Sequence, residues 1–360
     1  MPPVTVWHAG LSHQTSIDGY ARSMPDQLPD DSARAWFPGH TYTNRAEDPV
    51  ELAALKRASK LSVSVCLPAR NEAATIGSIC TVIRDRLMNT QGLVDELIVM
   101  DSGSSDRTAE IAAASGATVI ASSEALDQVA PGTFGKGAAL WSSLACTTAD
   151  VVVWLDADTR NLGEHFVTRL VAPLLRHRDL MLVKAFYDRP LVAGDAFSAA
   201  GGGRVTELVV RPMLNLFYPA LAGVIQPLAG ECAVRRDALM QLPFVAGYGV
   251  EVALLIDVVE KWGLDAIAQA DLGIRVHRNR DLGELGGMSF EILRTMMDRF
   301  EDLGLLKAVD PPEAALAQFR DRDLRVIRPT ESVELPPLAE ILATGTREGL
   351  PFRAPQPSVR

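Results

Sequence analysis

The chain has no C-x-x-C pair and no zinc-type cysteine spacing. No apolar run approaches the roughly 18 residues of a membrane span. Its start, MPPVTVWHAG, has no charged stretch followed by an apolar one, so no secretory signal is read. Cys66, Cys80, Cys146 and Cys232 are therefore expected as reduced thiols buried in the fold. Positive charge is also in deficit: the net charge is −10. A field of that sign disfavours non-specific nucleic-acid or anionic-membrane binding. A cytoplasmic protein with no nucleic-acid or membrane partner is expected. If its substrates are anions, local basic groups and backbone N–H donors must capture them. Two nucleotide templates are missing as well. No G-x-G-x-x-G follows the first strand, and Gly135-Lys136-Gly137 fails the P-loop pattern, with Ala130 and Gly137 at the positions that need Gly and Ser/Thr.

What remains is a chain of 360 residues, 48% hydrophobic and 22% charged, long enough for one large domain or two modest ones. Residues 1–47 are polar and irregular. Asp48-Pro49 reads as an N-cap and a first-turn proline, opening a helix over Val50 to Leu61. From Ser62 short β-rich runs (62–67, 96–100, 117–120, 151–155) alternate with helical stretches (73–87, 106–114, 137–146). That alternation predicts an α/β fold with a mostly parallel sheet flanked by helices, and ligands bound beyond the carboxyl ends of the strands. The second half is more mixed. It has strand-like runs at 180–186 and 231–235, a Gly/Ala-rich loop to Arg204, and helices over 206–216, 251–262 and 288–305. A Pro-rich stretch after about Arg328 is expected to be a loose tail.

Polar motifs fall where those strands end. Pro68-Ala69-Arg70-Asn71-Glu72 follows the first strand and Asp101 to Thr108 the second. Each offers helix N-terminal N–H groups or small residues to a ligand, and each is also read as an ordinary capped turn. Lys136 between two glycines suits an anion, or is a surface lysine. Asp156-Ala157-Asp158 ends a very apolar strand. Two hard carboxylates in a cleft suit Mg²⁺ or Mn²⁺, which bind through few carboxylates plus substrate phosphates.

Taken in this order, these motifs resemble the nucleotide-sugar domain of GT-A glycosyltransferases, a Rossmann-like fold. The later stretches 182–190, 201–208, 226–231, 247–251 and 277–280 are similar to the family of glucosyl- and mannosyl-3-phosphoglycerate synthases. The resemblance covers roughly residues 35–305 and implies a nucleotide-sugar half at 62–180 and a mixed α+β acceptor half at 181–305. An N-terminal extension (1–61) and a C-terminal tail (306–360) would flank them. It implies a retaining, metal-dependent transfer of glucose from UDP-glucose to the 2-hydroxyl of 3-phosphoglycerate, or of mannose from GDP-mannose, by a homodimer. Pro68, Ala69, Glu72, Ser102, Lys136, Asp156, Ala157 and Tyr248 would bind the donor. Asp158 and His277 would ligate the Mg²⁺ or Mn²⁺. Gly203, Arg204, Val205, Thr206 and Asn279 would hold the acceptor. Arg275 would face the donor phosphates, and Glu251 would border the sugar.

Several residues support this physically. Lys184, Arg204, Arg275 and Arg278 lie in candidate loops, and arginine suits bidentate phosphate contact. Gly201 to Gly203 free the backbone for an anion nest. The bland readings are a surface Arg204, a surface His277, and a Glu251 favoured only by a helix dipole. Retention needs either a carboxylate nucleophile, for which Glu251 is the candidate, or front-face attack with a donor phosphate oxygen taking the acceptor proton. The second is preferred. A nucleotidyltransferase making nucleotide sugars and a non-catalytic sugar-nucleotide sensor are the rival functions.

Overall fold

The computed structural model describes residues 28, 30–43, 46–127, 129–189, 191–193, 196–198, 203–276, 282–307, 315–320, 323–327 and 333–344. Its centre is an 8-stranded sheet. In chain order the strands are β1 (Thr41–Tyr42), β2 (Val63–Ala69), β3 (Glu96–Asp101), β4 (Thr118–Ala121), β5 (Val151–Trp154), β6 (Leu182–Asp188), β7 (Cys232–Arg235) and β8 (Ile267–Ile274). In space they run β1-β8-β6-β7-β5-β2-β3-β4. Every pairing is parallel except the two made by β7, which is antiparallel to both β5 and β6. The expected GT-A-like, mostly parallel sheet is what the chain forms.

Strand β5 shows why both faces are covered. Val152 and Trp154 enter one core, with Ile98 and Met100 of β3, while Val151 and Val153 enter the other, with Val65 and Leu67 of β2. Continuous apolar strands of this kind are stable only with helices on both sides. The helices that matter below are α1 (Asp31–His40), α2 (Pro49–Ser59), α3 (Lys136–Cys146), α4 (His165–Arg176), α5 (Val250–Trp262) and α6 (Leu282–Asp302). Side chains of α1, α3, α5 and α6 fill the first core, and those of α2 and α4 the second. Each large apolar side chain buried there contributes about 1.5–3 kcal/mol. All four cysteines are free and buried. Helix α2 starts as its sequence predicts, with the Asp48 carboxylate accepting from Val50 N–H at 2.8 Å.

The structure corrects four expectations. Within the supposedly irregular 1–47, residues 31–40 form α1; Asp30 caps it, Trp36 and Phe37 are buried, and Trp36 Nε1 donates to Ile267 O at 2.9 Å. Within the supposedly loose tail, Glu334–Leu335 pairs antiparallel with Phe244–Val245, Leu335 and Leu338 are buried, and Trp141 Nε1 donates to Pro336 O at 2.9 Å. Helix α6 begins at Leu282, earlier than its periodicity predicts, and ends at Asp302. Strand β8 has no counterpart in the sequence reading, because polar residues interrupt its pattern. Gln269 is buried but saturated: its amide donates to Thr41 Oγ1 and Gly223 O and accepts from Ile225 N–H. Asp271 accepts from Gly273 N–H at an irregularity in the β8–β6 register.

Helix α3 sits so close to the 244–247 segment that a Cβ on Gly137 would lie 1.8 Å from Val245 O. Gly137→Ala is therefore expected to cost about 1–3 kcal/mol through overpacking, measured as a lower urea midpoint at unchanged m.

Candidate active site

Parallel strands place their carboxyl ends along one edge of a sheet, and an antiparallel neighbour places its start there. The loops after β2, β3, β5, β6 and β8, and the residue before β7, therefore meet. The loops line a cavity of about 540 Å³, and Glu231, the residue before β7, is buried beneath it.

The first two loops are fastened to each other. Asn71 adopts the left-handed conformation (φ 59°), and its side-chain oxygen accepts from Ser105 N–H at 2.8 Å. Glu72 N–H donates to Thr108 Oγ1 at 2.8 Å, and Ala73 N–H to Asp106 at 3.2 Å. Pro68, Ala69, Arg70, Glu72 and Ser102 face the cavity as a result. Asp101 does not line it; its carboxylate accepts from Ser104 N–H at 3.2 Å, as a turn cap does.

The charged centre lies after β5. Lys136 Nζ, at the start of α3, is 2.8 Å from both Asp156 Oδ1 and Glu251 Oε1. Arg275 Nη2 is 2.9 Å from Asp156 Oδ2 and 2.7 Å from Asp158 Oδ1. Its Nε donates to Thr159 Oγ1 at 3.1 Å and also makes an ion-pair contact of 2.8 Å with Glu231 Oε1, without the alignment of a hydrogen bond. Arg275 is 5% exposed and Glu231 0%. Burial pushes the Asp156 carboxyl upward, but Lys136 and Arg275 outweigh it and hold the group well below the usual carboxylate range. Burial likewise pulls Lys136 and Arg275 down, and their carboxylate partners more than restore them. Glu231 goes the other way: burial raises it more than Arg275 lowers it. The backbone crowds this centre too, since a Cβ on Gly230 would sit 2.4 Å from both Asp156 Oδ1 and Lys136 Nζ.

The segment carrying Arg275 is zipped to the Asp156–Asn161 turn. Arg160 N–H donates to Val276 O at 2.9 Å, Asn161 Nδ2 to Ile274 O at 2.7 Å, and Val276 N–H to Asn161 Oδ1 at 2.8 Å. Thr75 Oγ1 donates to Ala157 O at 2.6 Å from the other side.

Of the residues predicted for the site, Lys136, Asp156, Ala157 and Asp158 line the same cavity as the first two loops. So do Tyr248, Glu251, Arg275 and the residues expected to hold the acceptor, Gly203, Arg204, Val205 and Thr206. Glu251 is in the first turn of α5, so the dipole reading also holds, but it carries the Lys136 ion pair besides. His277 and Asn279, with Arg278, lie outside the described residues. Lys184 is corrected: it is not in a loop but in β6, 2% exposed, with Nζ donating to Ala229 O. Burial pushes its pKa down. Sequence reasoning assigned no role to Glu231, Tyr187, Thr159 or Arg189. Glu231 and Arg189 stand inside two of the quoted stretches, yet nothing in a single sequence says that β7 is antiparallel and delivers Glu231 to this edge.

Among the described residues no group of three or more His, Cys, Asp and Glu side chains is arranged to hold a metal ion. The donor set nevertheless fits Mg²⁺ or Mn²⁺: Asp158 is a partly exposed carboxylate lining the 540 Å³ cavity, and such ions take one or two protein carboxylates with substrate phosphates completing the shell. No helix among the described residues is long and apolar enough to cross a membrane.

Residues 64–199 match the model of glycosyl transferase family 2. The glucosyl-3-phosphoglycerate synthase of Petrotoga mobilis is 43% identical over 83% of this chain and 93% of its own. That of Mycobacterium tuberculosis is 53% identical over 66% of this chain and 73% of its own. Its crystal structure with Mn²⁺, uridine diphosphate and glucosyl-3-phosphoglycerate superposes with a TM-score of 0.72 at 44% identity, covering 83% of this chain and 99% of that one. Mannosyl-3-phosphoglycerate synthase from Rubrobacter xylanophilus superposes with a TM-score of 0.77 at 37% identity, covering 85% and 99%.

Lys136→Met would leave Asp156 and Glu251 without their shared cation. With Lys136 and Asp156 side chains 21% and 22% exposed, the expected loss is about 1–3 kcal/mol, below that of a fully buried pair. The Asp156 pKa is depressed in the folded parent, so its contribution is present at neutral pH and lost as pH falls through the folded value. The stability gap between Lys136→Met and the parent should therefore be at full width at pH 7 and narrow as the pH is taken below about 4, towards the depressed Asp156 value, in thermal unfolding.

Proposed function

The chain belongs to the glucosyl-3-phosphoglycerate synthase family, and from this we infer a metal-dependent transferase that moves glucose from UDP-glucose to 3-phosphoglycerate and releases UDP. The observation that carries the reading is 43% identity across 93% of a synthase, in a chain that gathers Lys136, Asp156, Asp158 and Arg275 at one sheet edge.

The residue roles are proposals. The apolar Pro68–Ala69 edge, Glu72 and Ser102 bind the uracil and ribose. Lys136, Asp156, Ala157 and Tyr248 complete the donor pocket. Gly203, Arg204, Val205 and Thr206, with Asn279, hold the acceptor's phosphate and carboxylate, where guanidinium forks and free N–H groups suit both anions. Asp158 and His277 hold the Mg²⁺ or Mn²⁺, which when bound neutralises the leaving diphosphate. Arg275 already spans Asp156 and Asp158 and supplies a second, immobile positive charge there.

We place the new bond on the 2-hydroxyl, with retention by front-face attack. The bond from the anomeric carbon to the diphosphate oxygen breaks as the bond to the acceptor oxygen forms, and the hydroxyl proton passes to the departing phosphate oxygen. The Lys136–Glu251 contact of 2.8 Å supports this route, because a carboxylate held by an ammonium is a weakened nucleophile. Residues 62–180 then serve the donor and 181–305 the acceptor, on one continuous sheet. A homodimer in the cytoplasm completes the proposal.

GDP-mannose is the alternative donor, favoured by the TM-score of 0.77 to the mannosyl synthase; the 44% against 37% identity favours glucose. A donor–acceptor matrix decides: UDP-glucose, GDP-glucose and GDP-mannose, each with 3-phosphoglycerate and with glycerate. Fastest UDP release with UDP-glucose and 3-phosphoglycerate is expected. Pyrophosphate release instead would mean a nucleotidyltransferase, and no turnover with any pair a sensor. EDTA should abolish activity and Mg²⁺ or Mn²⁺ restore it. Asp158→Ala should lower kcat/KM about 100-fold or more, and near-normal activity would remove Asp158 from the metal.

For Glu251→Ala with azide, no glucosyl azide is expected. An azide product of inverted configuration would instead establish the two-step route through Glu251.

A further inference from the structure

Tyr187, at the end of β6, is 3% exposed and saturated. Its hydroxyl donates to Glu231 Oε2 at 2.7 Å and accepts from Arg275 Nη1 at 3.1 Å and Arg189 Nη2 at 2.9 Å. A phenol has one donor and two acceptor positions, and all three are used. Both guanidinium carbons also lie near its ring, 4.8 Å from the centroid for Arg189 and 5.4 Å for Arg275. Two cations are thus held on one aromatic residue, an arrangement with a repulsive cost.

The two arginines differ in what else they touch. Arg275 ion-pairs with Asp156, Asp158 and Glu231. Arg189 lines the cavity, and among the described residues no carboxylate ion-pairs with it and Tyr187 is its one hydrogen-bond partner. Its Nε is buried without a partner. A partly buried guanidinium with an unpartnered buried Nε, beside the charged centre, is costly unless an anion completes it. Arg275 serves the Asp156–Asp158 side. Arg189 follows the strand β6, Gly203 to Thr206 begin the next described segment, where a helix starts, and Arg204 and Thr206 share the cavity with Arg189.

We propose that Arg189 binds an anionic group of the acceptor, and that Tyr187 and Glu231 are positioning residues that hold its guanidinium, and that of Arg275, at the reaction centre. This rests on the acceptor reading above. Carboxylate and phosphate share the chemistry, so the two are separated by comparing 3-phosphoglycerate with glycerate, which lacks the phosphate.

The test is steady-state kinetics of Arg189→Gln, Arg189→Lys and Tyr187→Phe. A charge-assisted hydrogen bond lost from the bound acceptor predicts KM for 3-phosphoglycerate about 10- to 100-fold higher in Arg189→Gln, with KM for UDP-glucose within about twofold. Arg189→Lys should recover part of the loss, and Tyr187→Phe should show a smaller rise in the same constant. If the parent-to-variant ratio is the same with glycerate, the group bound is the carboxylate; if the ratio vanishes there, it is the phosphate. An unchanged acceptor KM, or equal rises for donor and acceptor, would overturn the proposal. Should Arg189→Gln fail to fold, judged by thermal unfolding, Arg189→Lys carries the comparison. Failure of the acceptor reading itself shows separately, as absence of UDP release by the parent with 3-phosphoglycerate.

Discussion

The guanidinium of Arg275 is joined at once to Asp156, Asp158, Thr159, Tyr187 and Glu231, across three strands and the turn after β5. A buried cation of this kind is stable only if every carboxylate stays in place, and each carboxylate is tolerable only while the cation remains. The geometry of the charged centre is therefore set by mutual desolvation. Any one loop could be a capped turn; linked through Arg275, they cannot move independently. Arg275 itself is fixed from behind, through the paired hydrogen bonds of Asn161 with the backbone at Ile274 and Val276.

That arrangement depends on one reversed strand. With β7 parallel to its neighbours, Glu231 would lie at the opposite edge, and Arg275 would face Asp156 and Asp158 with no buried counter-charge behind it. The reversal brings Glu231 beside Tyr187, and the short turn before it passes so close to Asp156 and Lys136 that a Cβ at 230 would displace both side chains. The parallel strands supply the polar loops that face the cavity, while the antiparallel one supplies the charge beneath them.

The nucleotide half was legible because its signals are local. The strands of 62–155 are short and apolar, their ends carry Pro68–Glu72, Lys136 and Asp156–Asp158, and the strand-end rule puts these together without further information. Helix α2 was legible to within two residues from Asp48 and Pro49. Illegible features were tertiary. Strand β8 hides behind Gln269, whose amide is satisfied by partners remote in sequence, and Asp271, which caps the local irregularity at Gly273. Helix α1 and the 333–344 segment are held by a few buried side chains, Trp36, Phe37, Leu335 and Leu338, too sparse to show as periodicity. Lys184 reads as one of the loop cations although it stands inside the strand-like run 180–186; it is a buried donor to Ala229 O.

An acidic chain that handles anionic substrates must separate the charge of its surface from the charge of its site. Here the separation is by depth. Lys136, Arg275 and Arg189 are at the sheet edge; the first two are compensated by carboxylates, while Arg189 has, among the described residues, only the neutral hydroxyl of Tyr187. Compensated cations keep their position without attracting bulk anions strongly, since their field is closed locally. They also cost nothing to reorient when charge develops, because they are already in place. Glu251 belongs to the same scheme. Tied to Lys136 in the first turn of α5, it tunes and orients a cation; freeing it to attack a sugar would strip Lys136 of one of its two anchors and disturb Asp156 as well. The network therefore makes the covalent route structurally expensive, whereas the front-face route leaves the Lys136–Glu251 and Lys136–Asp156 pairs intact.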